Sequence, residues 1–255
     1  MSEVGTTTRR NDLRTLWHLL FHRVRGETHA ERLESFYTGQ AEGYDNFRSR
    51  LLHGRKELIE QIPFVPEAVW VDLGAGTGEN LLHAGRQVQA LQNVHLVDLT
   101  PSLLRVAQQR INAEKLANVQ THCTDATTFS LPDNSVDVVT FSYSLTMIPD
   151  WFAAVSNAVR MLRPGGTLAV VDFYVSRKFA ADGHHQHGGL RRAFWSHWFA
   201  ADNVFLNGDH AAMLHRETQV RQFSEHTGRV PYLPFVKAPY YLFVGTKPVA
   251  QPRFS

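Results

Sequence analysis

The sequence predicts a doubly wound α/β fold built on a mostly parallel sheet, and three observations carry that prediction. From Ala68 onward, short apolar runs alternate with helix-period segments, the order expected of strands joined by crossover helices. The runs are apolar throughout, as in strands covered on both faces, and do not alternate with polar residues. The first run stops at Gly74, Gly76 and Gly78, directly before a helical segment, so a strand turns into a helix over a glycine loop.

The elements follow in order. Leu13, Leu16, Trp17, Leu20, Phe21 and Val24 form one helical stripe, capped by Asn11 or Asp12 and stopped at Gly26. Arg9, Arg10, Arg14, His18, Arg23 and Arg25 occupy its flanks and far side. A second helix is expected over 47–61, ending at Pro63. Strands are expected over 68–73, 94–98, 119–123, 136–141 and 167–173, with helices over 79–89, 102–116 and 151–162. Arg163-Pro164-Gly165-Gly166 reads as the turn before the fifth strand, and antiparallel strands over 230–235 and 240–246 complete the set. An amphipathic helix and helical lid therefore occupy 1–62. The α/β domain spans 63–255, with a basic and aromatic insertion at about 176–216.

Composition narrows the class. The 255 residues are 43% hydrophobic and 20% charged, enough for a substantial core and too polar for a multi-span membrane protein. One cysteine, Cys123, excludes an intramolecular disulfide framework and a clustered-thiolate zinc site, and makes a cytoplasmic location the default. There is no apolar run of transmembrane length and no secretory signal over Met1–Asp12. The formal net charge of +2 gives no reason to expect a nucleic-acid partner. His184-His185-Gln186-His187 lies among glycines and reads as a solvated loop in preference to a metal site, so no metal is expected.

The glycine loop is Val71-Asp72-Leu73-Gly74-Ala75-Gly76-Thr77-Gly78. Its G-x-G-x-G spacing puts Glu79 where a dinucleotide fingerprint needs a small residue, and an acidic helix start repels pyrophosphate. A ligand with a cationic centre and no phosphate fits better, and S-adenosylmethionine is one. With Asp98, Asp125-Ala126, Phe141-Ser142-Tyr143 and Arg163 to Thr167, the chain resembles the class I S-adenosylmethionine-dependent methyltransferases over roughly 44–246. The resemblance implies a seven-stranded, Rossmann-like methyltransferase sheet with an N-terminal helical lid. It also implies cofactor contacts from Asp72, Gly74, Ala75, Gly76 and Gly78, from Asp98 and Leu99 at the ribose, from Asp125 and Ala126 at adenine, and from Phe141 and Ser142. Arg50 is the best-placed arginine for the cofactor carboxylate, with Tyr44 as a lid over the cofactor.

Longer stretches are similar to a narrower family. Phe36-Tyr37-x-Gly39-Gln40-Ala41-x-x-Tyr44-Asp45, Leu51 to Arg55, Val97 to Leu104, Ser142 to Trp151 and Val171 to Lys178 resemble the bacterial betaine-lipid N-methyltransferases. That resemblance implies threefold methylation of the amine of diacylglyceryl-homoserine, by an enzyme held peripherally on the cytoplasmic side of the inner membrane. The wall over 141–151 lacks an Asn-Pro-Pro-Tyr or Asp-Pro-Pro-Tyr tetrapeptide and is aromatic and hydroxylic, which suits an amine becoming a cation. Tyr37, Tyr143 and Trp151 are candidate substrate contacts, although Trp151, more than Tyr143, suits the core at a helix start. Arg177, Arg191 and Arg192 are candidates for gripping the homoserine carboxylate. Tyr143 or water relays the proton, with no dedicated base evident. The stripe over 9–25 is expected to bind an anionic membrane, each buried apolar side chain contributing at most roughly 1.5–3 kcal/mol. A phosphatidylethanolamine or other amine N-methyltransferase is the alternative, an inactive cofactor-binding scaffold a second, and a homo-oligomer is compatible with the sequence.

Overall fold

The computed structural model describes residues 26–37, 50–181, 184–200, 204–231 and 236–249. The stripe over 13–24 and Tyr44 lie outside these residues, as does the side chain of Tyr37. The chain folds around one seven-stranded sheet: β1 Val69–Leu73, β2 Asn93–Asp98, β3 Val119–Cys123, β4 Val136–Ser142, β5 Leu162–Phe173, β6 Gln219–Arg229 and β7 Lys237–Thr246. The strand order is β3-β2-β1-β4-β5-β7-β6. Strands β1 to β5 pair in parallel, and β7 runs antiparallel between β5 and β6. This is the mostly parallel, doubly wound sheet expected.

The apolar runs form the central strands because both faces are covered. Trp70, Val71 and Leu73 of β1 are fully buried, and so are Val136, Val139 and Phe141 of β4. One core packs beneath the helices Arg55–Glu60, Glu79–Ala84 and Pro101–Ala113, the other beneath Trp151–Met161 and Asp209–Glu217. Pro101 sits in the first turn, where its missing N–H would have had no helical partner. Asp150 caps Trp151–Met161 by accepting a hydrogen bond from Ala153 N at 3.2 Å.

Several boundaries differ from the sequence reading, each for a local reason. The helix expected over 79–89 breaks at Gly85, whose φ of +56° cannot continue a right-handed helix, and a 3₁₀ stretch follows over Gly85–Ala90. In the helix expected over 47–61, Gly54 at φ +82° interposes a turn, and a new helix starts at Arg55. The fifth strand begins at Leu162 and absorbs the Pro-Gly-Gly segment through a register shift opposite Val136 and Val138. The outer strand lies over Gln219–Arg229, and of the expected 230–235 the residues 232–235 lie outside the described ones. It forms the sheet edge, mostly exposed, and so shows no apolar alternation to read.

The insertion contains helices Gly189–Ala200 and Asp209–Glu217. Its histidine segment is an irregular loop, exposed at His185 and Gln186 as expected, and tied down at its end. His187 is buried, its Nδ1 accepts from Ser176 N at 3.1 Å, and its own N–H donates to Ser176 Oγ at 2.8 Å. Among the described residues no three His, Cys, Asp or Glu side chains converge on a metal position, and no helix is long and apolar enough to cross a membrane.

Candidate functional site

Order reversal in the sheet falls between β1 and β4, and ligands of open α/β sheets bind at the carboxyl ends of strands there. A crevice occupies that position. Gly74 to Thr77 follow β1, Asp98 to Thr100 follow β2, Thr124 and Ala126 follow β3, and Ser142 to Ser144 follow β4; all line it. Behind its floor runs a buried polar network. Trp70 Nε1 donates to Thr140 Oγ1 at 2.9 Å, Thr140 Oγ1 donates to Asp72 at 2.6 Å, and Asn80 Nδ2 donates to both Asp72 oxygens and to Ser142 Oγ. Burial pushes the Asp72 carboxyl up to about 6 against those hydrogen bonds. Satisfied on every side, the network fixes β1, β4 and the first crossover helix relative to one another.

The glycines of the loop do different jobs. A Cβ on Gly74 would lie 2.3 Å from Ser144 Cβ, so this glycine admits the β4 loop, not a ligand. Gly76, at φ +56°, meets only Leu103 at 3.8 Å and is the one whose open side faces the crevice. Its N–H donates to Asp98 at 2.8 Å, while Thr100 N donates to the other oxygen at 2.8 Å. The Asp98 carboxylate is thereby held at mid-crevice, and carboxylate oxygens accept more than one hydrogen bond each, so a vicinal diol is a fitting partner.

The two ends differ in chemistry. At one, Arg55 donates from Nη1 to Glu79 Oε2 at 2.5 Å and from Nη2 to Ser142 O at 3.4 Å. The Nε of Arg55 is buried without a partner. Glu79 is thus neutralised by an arginine, which the argument from an acidic helix start did not foresee. At the other end the helix His29–Tyr37 lays His29 and Leu33 on the crevice. Burial holds the His29 pKa below its ordinary value against the attraction of Asp125. Glu34 anchors that helix by accepting from Ser102 N at 3.2 Å and Ser102 Oγ at 3.0 Å.

The crevice brings together Gly74, Ala75, Gly76, Asp98, Leu99, Ala126, Ser142 and Tyr143 from the sequence-derived candidates. Others stand elsewhere. Asp72 and Gly78 lie behind the loop, with a Gly78 Cβ 3.0 Å from Leu96. Asp125 folds into its own turn, accepting from Thr127 N and Oγ1 at 2.7 Å, and its neighbours Thr124 and Ala126 form the wall. Phe141 and Trp151 belong to the core, not to the crevice; β4 alternation turns Phe141 inward, and Trp151 packs edge-on to His210. Arg55, not Arg50, reaches the crevice, because the Gly54 turn restarts the helix there. Arg177 is ion-paired to Asp209 at 2.6 Å, and Arg191 and Arg192 ride on the insertion helix; none of the three lines the crevice. Tyr143, at φ +56°, donates its hydroxyl to His53 O at 2.5 Å. Burial first, then Asp172, raises its pKa well above the ordinary value, and its hydroxyl proton is engaged by His53 O. Thr77 of the glycine loop and Ser144, Met147 and Ile148 of the 141–151 wall line the crevice too, whereas His29, Leu33 and Thr100, which also line it, were not singled out from sequence.

His53 itself is clasped by the distant hairpin. Its Nε2 lies 3.0 Å from Arg229 O, and a Cβ on Gly228 would come within 2.1 Å of its ring. Only glycine at 228 lets the imidazole seat.

Comparison with known proteins agrees with this geometry. Residues 71–170 match the family described as a methyltransferase domain. The ubiquinone/menaquinone biosynthesis C-methyltransferase UbiE of Hydrogenovibrio crunogenus is 29% identical over 159 residues, 60% of this chain and 63% of that protein. UbiE of Teredinibacter turnerae is 30% identical over 162 residues, 61% of this chain and 65% of that protein. The chain thus matches less than two thirds of the length of these relatives. Among solved structures, phosphoethanolamine N-methyltransferase 2 of Haemonchus contortus, with S-adenosyl-L-methionine, has a TM-score of 0.67 at 17% identity, covering 88% of this chain and 61% of that one. The YcgJ protein of Bacillus subtilis has a TM-score of 0.62 at 18% identity, covering 78% of this chain and 99% of that one. The fold is the Rossmann-like methyltransferase fold, and residues 71–170 match the methyltransferase-domain family.

Proposed function

We propose that this protein is an S-adenosylmethionine-dependent methyltransferase whose acceptor is borne on an apolar chain. The single observation that carries the cofactor assignment is the ordering of polar groups along the crevice: Arg55, then the open Gly76 with Asp98, then Thr124–Ala126. An elongated ligand with an amino-acid end, a ribose diol and an adenine meets matching groups in that order. Buried atoms without partners on crevice residues, Arg55 Nε and Thr100 Oγ1, fit a polar occupant. When bound, S-adenosylmethionine supplies an electrophilic methyl group on a sulfonium. Arg55 grips the carboxylate, Asp98 accepts from the ribose hydroxyls, and the Ser142–Ser144 turn shapes the acceptor side. Rate acceleration comes chiefly from alignment.

An apolar acceptor chain is supported by the insertion helix, which a stack of buried core rings fixes to the crevice residue Tyr143. Tyr143 meets Phe173 at 4.6 Å between centroids, Phe173 meets Phe199 at 4.5 Å, Phe199 meets Trp195 at 5.6 Å, and Trp195 meets Phe194 at 5.0 Å. Phe194 is 49% exposed and Leu190, one turn earlier on the helix, 91%. Arg191 and Arg192 share that helix, an apolar and basic face suited to an anionic bilayer. The finer reading is that the acceptor is the amine of diacylglyceryl-homoserine, methylated three times at the cytoplasmic face of the inner membrane. The second stretch of membrane contact in that reading is 9–25. Ring-carbon methylation of a prenylated quinol is the second reading, favoured by the similarity to UbiE C-methyltransferases.

The deciding experiment incubates the protein with methyl-labelled S-adenosylmethionine and vesicles carrying diacylglyceryl-homoserine, phosphatidylethanolamine or a demethylated prenyl quinol. Three labelled methyls on the homoserine lipid are expected. Label on the quinol selects the second reading, label on the ethanolamine lipid replaces the acceptor, and no label with intact cofactor binding leaves a binding scaffold. Removing residues up to Gly26 is expected to lower sedimentation with anionic vesicles without altering cofactor affinity; unchanged sedimentation overturns the role of 9–25.

A further inference from the structure

A second cavity, of about 430 Å³, lies under the insertion and shares no lining residue with the crevice. It arises from the patterning of one helix. Asp209–Glu217 buries His210 and Leu214, one turn apart, and turns the short side chains of Ala211 and Ala212 to the cavity. Gly208 lets that helix start hard against the segment before Phe179, since a Cβ there would lie 2.9 Å from Arg177 N and 3.0 Å from Val175 O. Close backbones with alanines between them leave space unfilled.

What the cavity offers a ligand depends on which of its atoms are accessible. Ala211, Ala212 and Phe223 are half-buried, Ala181 is exposed and Phe179 is 78% exposed, so methyl groups and ring faces can be touched. His184 lies over Phe223 at 4.7 Å and 33° between ring planes. The polar groups among them are spent or sealed. Glu225 Oε2 accepts from His185 N at 2.7 Å, Ser176 Oγ accepts from His187 N at 2.8 Å, and Arg177 is paired with Asp209 at 2.6 Å. Glu225 Oε1, His215 Nε2 and Tyr174 Oη are buried, so nothing in the cavity can bond them. The reachable wall is therefore apolar.

Charge enters only at the rim. Lys178, between the lining residues Arg177 and Phe179, is exposed and holds its Nζ 5.4 Å over the Phe179 ring. Its backbone is fixed by Gln186 Nε2, which donates to Lys178 O at 2.7 Å. Asp209 cancels Arg177, so one ammonium stands beside an apolar hollow. Small-ligand pockets span roughly 300–1,000 Å³ and are mostly apolar with few polar anchors, and this one matches in size and wall. A flexible hydrocarbon with a single negative end complements it: the chain needs no hydrogen bond inside, and the end meets the ammonium. We propose that this cavity is a second binding site, distinct from the crevice, for the hydrocarbon chain of a fatty carboxylate whose head meets Lys178.

Octanoate, decanoate and dodecanoate, each below its micellar concentration, are titrated calorimetrically into the full chain. One saturable site is expected, tightening about fourfold per added methylene and undiminished when S-adenosylhomocysteine is present. Ala212→Leu fills the space and is expected to weaken decanoate about tenfold or more, while thermal melting shows the fold retained. Lys178→Gln, at the surface, is expected to weaken decanoate about threefold and leave decanol unchanged. No saturable site, an affinity independent of chain length, equal affinity in Ala212→Leu, or decylammonium bound as tightly as decanoate overturns the proposal. Competition by S-adenosylhomocysteine also overturns it, by assigning the chain to the crevice.

Discussion

Asp172 near the end of β5 ties stability to pH. Fully buried, its carboxylate accepts from Thr146 Oγ1 at 2.7 Å, Thr146 N at 3.2 Å and Phe173 N at 2.8 Å, and so anchors the loop that carries the crevice wall. Burial outweighs those bonds and pushes its pKa from 3.8 up to about 7. An acid whose pKa is higher folded than unfolded holds its proton more tightly when folded. Its stabilising contribution is therefore full below 3.8 and is lost as pH rises through about 7. From pH 5 to pH 7 the loss is on the order of 3 kcal/mol. Asp172→Asn has nearly the same shape and cannot ionise. Urea unfolding of both proteins at pH 5 and pH 8 isolates the effect, because other titrating groups, Asp72 included, cancel in the difference. The natural chain is expected to lose on the order of 3 kcal/mol more than the variant over that interval. At pH 5 the variant is the less stable by about 1–3 kcal/mol, because its amide NH₂ opposes the Thr146 N–H. Equal pH slopes in the two proteins would refute the dominance of burial over hydrogen bonding at this residue.

Three further outcomes are expected. Asp98→Ala, which removes the acceptor at mid-crevice and frees the Gly76 and Thr100 amides, should weaken S-adenosylmethionine binding about 10- to 100-fold by calorimetry; unchanged affinity would remove Asp98 from the site. Gly74→Ala should destabilise the fold by about 2–4 kcal/mol, combining strain at φ +75° with the 2.3 Å approach of Ser144, and adding Ser144→Gly should recover part of that loss in denaturant unfolding. Tyr143→Phe should cost about 1 kcal/mol of stability through the lost bond to His53 O, with the pH–rate profile of methyl transfer unmoved; a collapse of rate at every pH would return the phenol to a proton-relay role.

The central sheet was legible because parallel strands covered on both faces are apolar runs and their ends carry the ligand-facing residues. Asp98, Ala126 and Ser142 could be assigned in this way, each at the end of such a run or just beyond it. Where side-chain direction mattered, the reading faltered. Phe141 sits one residue from Ser142 yet faces the opposite way, since neighbours on a strand point to opposite faces. Arg55 was passed over for Arg50 because the left-handed turn at Gly54 decides which arginine faces the sheet, and that turn has no periodic signal. His29 reaches the crevice on a helix held by the tertiary contact of Glu34 with Ser102, 68 residues away. The edge strand Gln219–Arg229 pairs through backbone alone on an exposed flank, so its side chains were free to look like a loop.

The clasp between His53 and the end of β6 spans 176 residues, and the Tyr143 hydroxyl rests on the same histidine. A nascent chain emerging from the ribosome therefore holds the glycine loop and Asp98 long before it has the strand that steadies Arg55's turn. Such closure is entropically late, and the half-built pocket must wait, its apolar floor exposed, until the end of β6 has been synthesised.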